Sequence, residues 1–417
     1  MMKTYAYIIL LLLSLTAQAQ SQKELYNQAM AHYESKDYAN YLKAMRYLDS
    51  IRPMHPVFTY NLASAYALNQ QKEKAVSTLE QLILMNNTTA FETDADFKSL
   101  ETMVAYQKLQ VLKKQQNELI ANSKLVVTLN EKALHPESVA YLTKTNQWLA
   151  SSIRKRKIVR FDKATGVCQD WFSMPDMLAV FDMKADRNEE FLWVATAAMP
   201  EMENYSASEE GKAEILKIDI KKQTIVARYT TEGNAVFGAI YVTKKNTVFV
   251  SDSAKSIIYK IENGKLSVWL SMENSAFNLQ GITMNKEENM LFVADYLKGI
   301  AAITMANKEV HWLSFPKGVS AKGIDGLVYH NNSLFAIQNG VAPIRIVELM
   351  LNKANNQLVD FKVKDSNRPE FDEPAMGTIS NGSFYFFANA PWKAYDRNGV
   401  LDENKVVNPV LYSLKLQ

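Results

Sequence analysis

A single cysteine, Cys168, is all the sulfhydryl chemistry in the 417 residues, so no internal disulfide can form and the fold must rest on its core. The lone thiol reads as a small buried hydrophobe. Glycine is scarce, 14 in all, and absent between Gln22 and Asn122. Neither sign of charge is in excess: 47 basic against 44 acidic residues leave +3, which argues against nucleic acid or an anionic membrane as the main partner. The five histidines, at 32, 55, 135, 311 and 330, show neither zinc spacing nor the order of a catalytic triad. Long apolar runs are also missing. The one at the start, Tyr5 to Leu15, is too short to span a bilayer, and no later segment does better.

That short run follows Lys3 and precedes Ala17-Gln18-Ala19, which together have the form of a secretory signal cleaved after Ala19. The expectation is an exported chain, periplasmic or secreted, without a membrane span. Its 47% hydrophobic and 11% aromatic content is that of a folded protein, and its length exceeds what one core serves. Two domains are expected after the signal.

From residue 20 to 122 apolar residues recur at helical spacing. Tyr60, Leu62, Ala63, Tyr66, Ala75, Leu79 and Leu82 follow the pattern of a tetratricopeptide repeat, and Ala29, Tyr33, Tyr41, Met45 and Leu48 form an earlier copy. A further helix is expected from Asp96-Phe97 toward Leu119. Short helical arrays of this kind dock protein partners or cap a neighbouring domain.

From Ser123 to Gln417 the period changes to alternation, punctuated by Asn263-Gly264, Asn339-Gly340, Asn381-Gly382 and Asn398-Gly399. Apolar strands marked by Trp148, Trp193, Phe249, Phe292, Phe335 and Tyr385 recur every 43 to 56 residues, around the period of a propeller blade. The fold expected is an all-β six-bladed propeller behind an α-helical, tetratricopeptide-like domain. Leu125 to Leu129 is the expected fourth strand of blade six, beside Val410 to Lys415, which closes the ring and removes an exposed sheet edge.

Residues at the start of each innermost strand point into a propeller's channel. Those are Glu137, Gly238, Gln280, Asp325 and Met376, with blade two irregular near Leu178-Ala179. Two carboxylates and an amide on one axis present the hard oxygen donors that suit calcium or magnesium. His135 is placed to approach the channel mouth.

Pro136 to Tyr141, Gln280-Gly281-Ile282 with Phe292 to Asp295, and Ile324 to Leu327 resemble blades of the senescence marker protein/gluconolactonase family. The resemblance covers roughly the last two thirds of the chain. It implies a six-bladed propeller with a divalent metal, calcium first, in the channel, and hydrolysis of sugar lactones or related esters. Residue by residue, it makes Glu137 and Asp325 metal carboxylates, with Asp325 also the catalytic base. It places Gln280 where the family has a ligating asparagine, and Gly238 where another asparagine follows the phenylalanine.

Two functions follow as expectations. One is a metal-dependent lactone or ester hydrolase with a small-molecule ligand in the channel. The other is a non-catalytic binding or scaffold protein that engages a protein partner through its helices. The acidic insertion Met199 to Lys212, with Glu201, Glu203, Glu209 and Glu210, reads first as a solvated loop, with roofing of the channel or binding of a cation as alternatives, and Asp396 to Asp402 reads as a turn.

Overall fold

The computed structural model describes residues 21–416, so the expected signal segment lies outside the described residues. The chain forms two compact units. The first takes the described residues up to Leu82 with Thr89–Val111; the second takes Ile83–Thr88 and everything from Leu112 onward. Among the described residues no helix is long and apolar enough to cross a membrane.

The first unit is built from helices α1 (Gln22–Glu34), α2 (Tyr38–Ile51), α3 (Pro56–Leu68) and α4 (Lys72–Met85), with the last turn of α4 passing into the second unit. Ser21 starts α1 with a capping box: its hydroxyl accepts from the Glu24 N–H and its own N–H donates to the Glu24 carboxylate. Asp37 caps α2, and Pro56 supplies the preset φ for the first turn of α3. Ala29, Met45 and Leu48 recur as Ala63, Leu79 and Leu82, all fully buried, at the repeat's period of about 34 residues.

The further helix expected from Asp96 is broken. Residues Ala95–Leu100 form a 3₁₀ turn, and α5 (Val104–Gln116) begins only after Met103 closes a turn on Leu100. The cause lies in two carboxylates. Asp94 accepts from the Asp96 N–H and the Tyr60 hydroxyl, while Asp96 accepts from Tyr33 and Ser64. These bonds pin the segment to α1 and α3, off the axis a continuous helix would need.

The second unit is the six-bladed propeller. Blades one to five run inner to outer in sequence order, with inner strands Val139–Leu142, Ala179–Ala185, Phe237–Val242, Leu279–Met284 and Ile324–His330. Blade six is Gly377–Ser380, Ser383–Phe387 and Val410–Lys415, completed by Lys124–Thr128 as expected. A short strand not anticipated, Ile120–Ala121, pairs antiparallel with Leu358–Ser366 and gives blade five a fifth member. Apolar side chains meet between neighbouring blades, so the core forms wedges around the ring. One wedge, between blades six and one, packs Trp148 on Tyr385 with ring centroids 4.6 Å apart.

Arg345 of blade five is 1% exposed and, among the described residues, bonds only to neutral acceptors. Its guanidinium donates to Gln338 Oε1 at 2.8 Å, to Gln116 Oε1 at 2.9 Å and to the Leu84 carbonyl at 2.7 Å. Burial lowers its pKa to about 10, which still leaves it charged at neutral pH. A buried cation bonded to three neutral acceptors fixes Leu84 and Gln116 to the blade.

The inner strands crowd one another. A Cβ on Gly281 would lie 2.6 Å from the Asp325 carbonyl oxygen, and one on Gly326 2.2 Å from that of Ala375, whereas one on Gly238 would meet nothing closer than 3.9 Å. Gly281→Ala and Gly326→Ala should therefore each cost about 1–3 kcal/mol by overpacking, and Gly238→Ala less than about 0.5 kcal/mol, as read from denaturant midpoints. Arg345→Ala, which strips two buried acceptors and one half-buried acceptor of their donor, should cost about 3 kcal/mol in the same measurement.

Candidate functional site in the propeller channel

Blades two to five carry their channel residues on breaks in the inner-strand pairing, while Glu137 and Met376 just precede inner strands that pair regularly. Pairing with the second strand skips a residue between Val180 and Asp182 and between Phe237 and Ala239, and is disturbed between Leu279 and Ile282 and between Ile324 and Leu327. The residues at these breaks are Phe181, Gly238, Gln280-Gly281 and Asp325-Gly326. A bulge bends the strand and re-aims a side chain that regular pleating would send into a blade face. Phe181, Gly238, Gln280 and Asp325 all line one cavity of about 400 Å³, together with Glu137 and Met376. Every position expected at the channel is thus brought together, and blade two adds Phe181.

The polar residues that end the second strands hold this ring in register. Ser151 Oγ accepts from the N–H groups of Glu137 and Ser138 at 3.0 and 2.8 Å. Ser251 Oγ donates to the Gln280 carbonyl at 2.7 Å. Asp295 accepts from the Phe277 and Asn278 N–H groups with one oxygen and from Leu297 and Lys298 with the other.

Glu137 is 5% exposed, and the Trp392 indole N–H donates to its Oε1 at 2.6 Å. Asp325 Oδ2 accepts from Asn339 Nδ2 at 2.6 Å, and the Asn339 carbonyl in turn accepts from the Tyr296 hydroxyl at 3.0 Å. Gln280 Nε2 donates to Asn278 Oδ1. Each of the three expected site residues therefore leaves one oxygen without a hydrogen bond among the described residues: Glu137 Oε2, Asp325 Oδ1 and Gln280 Oε1.

Burial raises the pKa of both carboxyls. For Glu137 the Trp392 hydrogen bond opposes the rise and the charge of Glu373 adds to it; for Asp325 the charge of Glu137 adds and the Asn339 bond opposes. The two titrate as a pair and hold a proton at neutral pH. His135 sits behind them, fully buried and kept neutral by desolvation, with its pKa lowered to about 3. Its Nδ1 is 3.0 Å from the Tyr395 hydroxyl, its Nε2 3.7 Å from Glu137 Oε1, and its ring stands edge-on to Trp392. It approaches the site from the protein side.

Four site residues had no signature in the repeat. Glu373 lines the same cavity, with its pKa raised by burial and opposed by Lys393, 3.4 Å away. Trp392 comes from a blade-six loop without a counterpart in other blades. Tyr296 follows the second strand of blade four, and Asn339, read in sequence as half of a turn, forms part of the channel wall. The acidic insertion also departs from a solvated loop. Lys155 and Arg156 pair with Glu203 and Glu209 at 2.5 and 3.0 Å, Met202 is buried against Leu178, and Met199 reaches the cavity. The run Arg154-Lys155-Arg156 in blade one was the available signal. Asp396 makes the expected turn, accepting from the N–H groups of Asn398 and Val400.

A carboxyl whose pKa is raised on folding stabilises the fold below its unfolded pKa and loses that contribution as pH climbs to the folded value. For the Glu137–Asp325 pair the window runs from about 4 to about 8. Glu137→Gln keeps an oxygen for Trp392 and removes the repulsion. Its Tm should exceed that of the parent at pH 8–9, with the gain shrinking toward pH 5, in parallel scanning calorimetry.

No family model matches the chain, and no curated protein matches it. Among solved structures, the PQQ-bound aldose sugar dehydrogenase of Streptomyces coelicolor is similar at 12% identity, with a TM-score of 0.50 over 70% of this chain and 97% of that one. Selenomethionine-substituted virginiamycin B lyase of Staphylococcus aureus aligns at 14% identity, with a TM-score of 0.48 over 70% and 100%. At these identities the likeness is one of fold alone.

Proposed function

We propose that the propeller binds a small molecule in its channel, in the manner of the senescence marker protein/gluconolactonase family, at a site formed by Glu137, Gln280 and Asp325. The observation that carries this reading is that these side chains, from three blades, line one cavity and each keeps one oxygen without a hydrogen bond among the described residues. Structural carboxylates are normally satisfied by neighbouring donors, and these are half-satisfied at burial that disfavours their charge.

The donor set fits a hard divalent cation such as calcium, which takes oxygen ligands in variable geometry. Among the described residues no three acids, histidines or cysteines lie close enough to share one ion, so the set is two carboxylates and an amide. A bound ion would supply Lewis acidity toward an ester or lactone carbonyl. The chain's own residues do the rest. Asn339 fixes the Asp325 carboxyl through Oδ2 and leaves Oδ1 to take a proton from water, with a basicity that burial has moved toward neutral pH. Trp392 orients Glu137, and Phe181, Met199 and Met376 exclude solvent.

A second reading has one specific support. Gly238 contributes no side chain, and a Cβ there would meet nothing closer than 3.9 Å, so the innermost strand of blade three offers no group to orient a substrate. Binding without turnover, with the helices engaging a protein partner of an exported chain, is the form the protein takes on that reading.

Thermal unfolding after chelation and then in rising calcium or magnesium tests the site. A folded-state ligand must raise Tm with concentration. The shift should vanish in Asp325→Asn and grow between pH 6 and 8, because the cation displaces the proton the pair holds. Absence of a shift with either ion would overturn the metal; a shift without hydrolysis of lactones and aryl esters would leave the binding reading.

A further inference from the structure

The cavity side chains are unevenly divided between donors and acceptors. The Trp392 N–H is spent on Glu137, the Asn339 amide on Asp325 and the Pro374 carbonyl, the Tyr296 hydroxyl on Asn339, and one of the two Gln280 amide N–H groups on Asn278, while the Ser253 hydroxyl and the Asn278 amide reach the Val236 and Ser253 carbonyls at 3.5 Å. Among the described residues no lysine, arginine or histidine lines this space. The oxygens left over are those of Glu137, Asp325 and Gln280, with Glu373 as a third carboxylate. Lys393 pairs with Glu373 Oε1 at 3.4 Å and with Asp372 at 2.7 Å, which leaves Glu373 Oε2 open; the lysine itself is 62% exposed.

A surface rich in carboxylates and without a lining cation selects a ligand that brings donors or positive charge. A carboxylate or phosphate ligand would meet three carboxylates and no unspent side-chain cation, which is rejection by charge. Glu373 stands apart from the other two acids, since the three do not converge on one ion, yet both Glu137 and Asp325 feel its charge. The same cavity is lined by Trp392, Tyr296 and Phe181, with Met199 and Met376. Aromatic walls attract organic cations through their quadrupoles, and about 400 Å³ lies at the small end of ligand pockets.

We propose that the channel ligand carries an organic ammonium group, and that Glu373 and the aromatic wall of Trp392, Tyr296 and Phe181 receive it. The inference rests on the reading of this cavity as a ligand site and adds the ligand's charge class. The ammonium head supplies the donors or polarised C–H groups the cavity lacks, and its charge meets a carboxylate outside the Glu137–Gln280–Asp325 set.

Isothermal titration of the full chain with choline, with its neutral carbon isostere 3,3-dimethyl-1-butanol and with gluconate tests the charge class, and calcium titration is run as a separate arm. Choline should bind at least tenfold more tightly than the isostere, and gluconate should not bind. Glu373→Gln should weaken choline at least tenfold while leaving the calcium response in place. Equal binding of choline and its isostere, binding of gluconate, or no choline binding overturns the ammonium assignment. The calcium arm succeeds or fails on its own, so the two readings are separated. Unchanged choline binding by Glu373→Gln overturns the role of that residue, and the comparison of ligands on the unaltered chain holds even where the variant misfolds.

Discussion

Around the axis the inner strands lie so close that main chain meets main chain. The Met376 N–H donates to the Glu137 carbonyl across the seam of blades six and one, and Gly281 and Gly326 leave no room for a methyl group beside the next strand. In a ring this tight blades two to five do not place their channel-facing side chain by ordinary pleating, whereas Glu137 and Met376 precede strands that pair without a break. The bulges resolve the conflict by inserting residues whose side chains project into the channel while the flanking positions continue into the blade wedges. Cavity size, the choice of lining residues and the depth at which the carboxylates lie all follow from that spacing.

Desolvation then sets the chemistry. Glu137 and Asp325 sit where water is scarce, each held through one oxygen by a neutral donor, Trp392 or Asn339. A neutral donor orients a carboxylate without satisfying its charge, so the pair keeps its appetite for a proton or a cation. Arg345 shows the converse arrangement: a buried charge with an acceptor for each of its three nitrogens, which holds segments together. Similar burial serves opposite ends according to whether the bonding is complete.

The ring and its closure were legible because alternation, the aromatic second strands and turn dipeptides are local properties. Asn263-Gly264 and Asn381-Gly382 take the positive φ values that a two-residue hairpin requires, as their sequence implies. Asn339-Gly340 has the same sequence and another use: its glycine lets the loop pass against Gly323 and Tyr296, and its asparagine holds Asp325. Dipeptide identity does not separate these cases, because the difference lies in what packs alongside. Glu137, Gln280 and Asp325 were found from blade register, whereas Glu373 and Trp392 enter from irregular segments of blade six with no periodic counterpart. The ion pairs of the acidic insertion depend on a basic run in another blade, and the break before α5 on hydroxyls two helices away. Each is a long-range contact that no local window contains.

Blade six joins Lys124–Thr128 to Val410–Lys415, and blade five borrows Ile120–Ala121 just before it. On a chain that emerges from the ribosome in order, the earliest β-segments must wait, unpaired, for partners made almost last. The ring is therefore sealed after synthesis of nearly the whole propeller, and its final step is the joining of distant segments with a large loop-closure cost. An open edge persists until that moment, which makes protection of the nascent strand a requirement of this architecture.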